Sequence, residues 1–167
     1  MKTARNVFVL IGGLISFTAS AFELGAWHGV WERYSAKGFV EERITATEVI
    51  EGKLLASKIE YFKEGSPVGD GATVMSDTNG SLRASMHFTN GMKIELSPID
   101  RDKNSMLFQL SRFNLASGEK NGDMFTRFTL MKIDDKEVIR QDLYRDKELK
   151  NKILSVDFYK TAANLTS

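Results

Sequence analysis

Apolar and polar side chains alternate along residues 81–88. Leu82, Ala84, Met86 and Phe88 fall on one face, and Ser81, Arg83, Ser85 and His87 on the other. After Thr89-Asn90-Gly91 the alternation resumes, with Met92, Ile94 and Leu96 against Lys93, Glu95 and Ser97. A period of two marks a half-buried strand. Asn-Gly between two such runs predicts a hairpin with a type I′ turn, in which both central residues have positive φ.

The same pattern runs through the rest of the chain. Strands are expected over Phe39 to Ile50, Lys53 to Lys63, a short Ala72 to Ser76, Ser105 to Phe113, Asp123 to Ile133, Glu137 to Arg145 and Ile153 to Lys160. Short polar turns separate them, among them Glu64-Gly65-Ser66-Pro67, Asp77-Thr78-Asn79-Gly80 and Asp134-Asp135-Lys136. Glu148 to Lys152 could form a helical turn. Without an amphipathic helix of useful length between strands, βαβ units are disfavoured. The expectation is therefore an all-β domain of about nine or ten antiparallel strands in serial order. Such a series closes into a single up-and-down barrel, which removes exposed edges. A two-sheet β-sandwich is the alternative.

The N-terminus follows a different pattern. Lys2 and Arg5 precede an apolar run from Val7 to Phe17, and Ala19-Ser20-Ala21 ends it with small residues. This is the layout of a secretory signal peptide over 1–21. It leaves one domain over 22–167, exported to the periplasm or secreted. A spanning helix needs about 20 apolar residues, and this run is about half that, so no membrane span is expected in the mature form.

Charge narrows the partners. The whole chain carries 23 bases and 22 acids. Losing Lys2 and Arg5 leaves 21 bases against 22 acids, a net of −1. A near-neutral chain gives no sign of nucleic-acid binding or of a polybasic membrane patch. The absence of cysteine excludes disulfide staples and a thiolate nucleophile.

Near the start of the domain stand Gly25-Ala26-Trp27 and Gly29-Val30-Trp31, followed by Glu51-Gly52-Lys53-Leu54-Leu55. Together with the serial hairpins, these resemble the opening of small bacterial exported lipocalin-like (calycin-type) barrels of uncharacterised function. The resemblance covers most of the domain in pattern and little of it in residue identity. It implies that Trp27 and Trp31 close one end of the barrel. It further implies that a basic residue from a late strand, Arg145 or Lys160, packs over the tryptophan, as a cation–π pair allows. The haem-binding branch of such barrels uses a late histidine. None follows His87 here, which counts against haem, and no other cofactor is expected.

Candidate chemistry is sparse. His28 reads as a solvated loop residue or as a guard at a mouth. His87 and Arg83 share the polar face of their strand. If that face lines a cavity, they could hold an anionic head group; if it faces water, they are an ordinary solvated face. Two histidines so far apart have no zinc spacing, and Asp100, Asp102 and Asn104 lack the glycine and distal glutamate of a calcium loop, so no metal is expected. Met75, Met86, Met92, Met106, Met124 and Met131 lie in or next to strands, where they suit either an adaptable apolar pocket or an ordinary core. The expected function is binding of a small hydrophobic or amphiphilic ligand inside the barrel. The alternatives are a protein-interaction module with a filled barrel and an enzyme acting on a lipid-like substrate in the cavity. No catalytic motif supports the last.

Overall fold

The computed structural model of the protein describes residues 23–78, 80–114, 117 and 120–162. The expected signal segment, 1–21, lies outside the described residues. A single-turn 3-10 helix, Leu24–Trp27, leads into ten strands: β1 Gly29–Tyr34, β2 Val40–Ile50, β3 Leu54–Lys63, β4 Ser66–Thr78, β5 Ser81–Phe88, β6 Met92–Arg101, β7 Ser105–Asn114, β8 Lys120–Ile133, β9 Lys136–Tyr144 and β10 Lys152–Thr161. Each pairs antiparallel with its neighbours in sequence, and β1 also pairs with β10. The result is one closed up-and-down barrel, and the sandwich alternative falls away. Closure is set by the middle of β1, where Trp31 faces Ile44 of β2 on one side and Lys160 of β10 on the other.

Antiparallel partners share a face, so the alternation read from the sequence becomes a division between inside and outside. Leu82 is 4% exposed, and Ile94 and Leu96 are buried with it in the interior core. The short strand expected at Ala72 to Ser76 is instead the 13-residue β4. Ser66-Pro67 and the glycines at 69 and 71 read as loop, because they offer no apolar alternation. Backbone pairing with β3 nevertheless carries on past a bulge at Tyr61/Phe62 to the Lys63–Ser66 pair.

The β5–β6 hairpin forms as expected, with His87 opposite Lys93, but its turn is of another type. Gly91 has φ +81° and its N–H donates to Phe88 O at 3.0 Å, while Asn90 is not among the positive-φ residues. This is the three-residue loop closed by a left-handed glycine. The Asn90 side chain accepts from Met92 N at 3.0 Å instead, and this local turn bond suits an Asn at negative φ. Within the segment Glu148 to Lys152 no helix forms: Lys152 already opens β10, and the residues before it make an irregular turn tied by Asp146 carboxylate oxygens that accept from Lys150 N and Asn151 N.

Candidate functional site

One end of the barrel interior is plugged. Leu24 and Trp27 of the 3-10 helix are 1% and 3% exposed, and Trp31 is fully buried. The Trp31 indole donates to Trp27 O at 3.1 Å, which ties the helix to the first strand. Lys160 places its ammonium 5.2 Å from the centre of the Trp31 ring and pairs with Glu137 at 2.9 Å. Gly29 makes this possible. Its φ of +127° suits glycine, and a Cβ there would stand 3.0 Å from the Lys160 side chain.

The expectation of a basic residue over the tryptophan is therefore met by Lys160. Arg145, the other candidate, is exposed in the turn between β9 and β10. That turn lies at the opposite end of the barrel, because β10 runs from it towards the start of β1. Arg145 cannot reach the plug.

Beside the plug lies a cavity of about 50 Å³. Trp27 and Trp31 border it, with Ile44, Ile59 and three of the six strand-associated methionines, Met75, Met86 and Met106. Ser57 and Thr73 also line it, but the surface it presents is entirely apolar. Phe128 and Phe108, both on the inward face, meet edge-on with ring centres 6.2 Å apart.

The next inward layer towards the far end is polar. Trp31, Ile44 and Ile59 lie in register across β1, β2 and β3, and two residues further on the inward positions are Arg33, Glu42 and Tyr61. Arg33 donates through Nε to Glu42 at 3.4 Å and through Nη1 to Glu41 at 2.5 Å. Tyr61 is hydrogen-bonded to Glu42. The Glu42 side chain is only 15% exposed. Burial pushes its carboxyl above the usual glutamate range, although Arg33 and Tyr61 pull the other way. Burial, together with the Glu42 charge, also raises the Tyr61 hydroxyl well above its usual value. Phe88 lies 6.2 Å from the Tyr61 ring, at the edge of the same layer.

Arg33, Glu42 and Tyr61 were not singled out from the sequence, yet a signal was there. Position 42 has the same parity as Val40, Ile44 and Ala46. A glutamate on that apolar face is a break in the pattern. Tyr61 likewise continues the inward series Leu55, Ser57, Ile59.

The residues that were singled out on β5 lie elsewhere. Met86 faces the cavity, so Arg83 and His87, at odd positions of the same strand, project outwards and are exposed. The solvated-face alternative holds for them, and the structure does not bring them to the interior. Arg83 instead borders a shallow outer groove with Glu95 and three serines. His28 is exposed just after the 3-10 helix, with Nδ1 2.5 Å from Gly25 O. Among the described residues no group of three His, Asp or Glu is placed to hold a metal ion.

Compared with family models, curated proteins and solved structures, the chain matches none of them. The reading of the site rests on its own geometry.

Proposed function

We propose that the protein is an exported, lipocalin-like barrel that binds a small apolar or amphiphilic ligand in its interior. The observation that carries this reading is the wholly apolar cavity between the tryptophan plug and a buried polar layer. An apolar group would sit against Met75, Met86 and Met106, whose unbranched side chains adapt to irregular shapes. A polar end would reach Arg33, Glu42 and Tyr61. From Ala46 to Glu42 along β2 is four residues, or roughly 13 Å at about 3.3 Å per residue, so a ligand that reached both the plug and the polar layer would be an extended chain larger than the cavity itself.

Size restricts the ligand. The cavity of about 50 Å³ is far below the roughly 300–1,000 Å³ of sites for drug-sized molecules. It is about a third of the ~150 Å³ that holds benzene in an engineered apolar cavity. The ligand is accordingly a molecule of few heavy atoms, or a longer chain whose entry displaces the methionines and Tyr61.

The same small size favours the second reading, a filled barrel acting as an extracytoplasmic interaction module. Extraction of the protein purified from its own host, followed by mass spectrometry, separates the two. A single apolar or amphiphilic compound near one per chain supports the ligand barrel. A repeated blank under gentle conditions supports the module.

A further inference from the structure

The near-neutral net charge conceals an uneven distribution along the barrel axis. The turns β1–β2, β3–β4, β5–β6 and β9–β10 gather at the end away from the tryptophan plug. Counting these turns and the strand residues that flank them, the bases are Lys37, Lys63, Arg145, Lys147, Lys150 and Lys152. The acids are Glu64, Asp146 and Glu148. Six against three leaves +3 among the described residues. The same count at the plugged end gives Lys53, Arg101, Lys103 and Lys136 against Glu23, Glu51, Asp102, Asp134 and Asp135, or −1.

The basic end also carries most of the exposed large apolar side chains. Tyr34, Phe39, Val68, Ile153 and Leu154 are 42%, 46%, 62%, 43% and 49% exposed and stand on or beside its turns. Between β1–β2 and β3–β4 these features meet in one groove of about 430 Å³. Lys37 and Lys63 flank it, and Phe39 and Phe62 supply aromatic surface. Glu41 and Glu64 border it too, but Glu41 is held by Arg33.

We propose that this end docks on the surface of an anionic lipid bilayer, with Phe39 inserted at the head-group level and Lys37 and Lys63 beside lipid phosphates. Apolar side chains ringed by bases match the two attractions such a surface offers, apolar insertion and the negative surface potential. The plugged end, with a net negative rim, faces away. The proposal does not depend on a ligand in the barrel, although docking would present the mouth to a source of apolar molecules.

Flotation of the purified protein with vesicles tests it. Pure phosphatidylcholine is compared with phosphatidylcholine carrying about 30% phosphatidylglycerol, at low and at about 0.5 M salt, where the Debye length drops to a few ångströms. Binding to the anionic vesicles only, released by salt, is the expected result. The double variant Lys37→Glu/Lys63→Glu should lose roughly tenfold or more of the bound fraction, and Phe39→Ser several-fold. The control Lys103→Glu/Lys136→Glu changes net charge equally at the plugged end and should bind as the parent does. Thermal melting confirms that each variant is folded. No flotation of the parent, equal binding to neutral vesicles, or an equal loss in the control pair would overturn the proposal.

Discussion

At the plugged end the interior is closed by packing: Leu24, Trp27 and Trp31 are buried, and Lys160, over the Trp31 ring, is paired with Glu137. One layer further along, two residues on, the interior carries a buried acid held between Arg33 and Tyr61. The first arrangement gains from every apolar contact. The second keeps a carboxyl in a place that disfavours its charge. If a ligand enters the barrel, as proposed, the polar layer is the end whose hydrogen-bonded groups could exchange partners with it. The cavity lies between the two.

Substitutions at either end should therefore differ in size and in pH dependence. Trp31→Ala removes the largest buried side chain of the plug and should destabilise the fold by about 3–5 kcal/mol, measured by urea unfolding. Tyr61→Phe, at the polar layer, removes one hydrogen bond and should lower stability by about 0.5–1.5 kcal/mol. Glu42→Gln probes the sign of the electrostatic effect. The Glu42 pKa is raised on folding above its ordinary 4.5, so its contribution to stability declines as pH rises from that value through the folded pKa. Glu42→Gln should gain on the parent across the same window. A gap that is flat or moves the other way would remove the buried-acid description. Asp142, on the outer face, provides the opposite case. Burial opposes its ionisation, but the hydrogen bonds from Lys152 and Ser155 prevail and hold it below 3.8. Its contribution is present above that value and is lost as pH falls through the folded pKa.

Smaller effects separate the two basic candidates for the plug. Lys160→Met keeps the apolar stem over Trp31 and removes the ammonium, so a loss of about 0.5–1 kcal/mol is expected. Arg145→Ala should stay within about 0.5 kcal/mol of the parent. Equal losses for both would undo the assignment of Lys160. Arg83→Ala and His87→Ala, on the outside of β5, should leave binding of an interior ligand unchanged.

The strand order and the β5–β6 hairpin were legible because Leu82 to Phe88 and Met92 to Leu96 alternate cleanly, and a period of two has one structural meaning. The tryptophan plug was expected only through the family resemblance that the two Gly-x-Trp pairs help to carry. The first half of β4 was not, since Ser66 to Gly71 has no apolar side chain to alternate except Val68, and only backbone pairing with β3 holds it in the sheet. Lys160 and Arg145 could not be separated by sequence, because the choice depends on which barrel end each reaches, and that is fixed by the β1–β10 register. Arg83 and His87 lie on the face of β5 opposite Met86, and that parity sends them outwards. The polar layer is not legible in the sequence because its three members lie on three strands and become neighbours only through pairing. The charge difference between the two ends is likewise invisible to a net count.

The central claim is that the interior between the plug and the Glu42 layer receives a small apolar molecule. Methyl-¹³C methionine NMR during titration with xenon or a short alkane tests it most directly, since three methionines line the cavity. The account predicts saturable shifts at Met75, Met86 and Met106, with Met131 unmoved. No shift at those three, or equal shifts at every methionine, would contradict it.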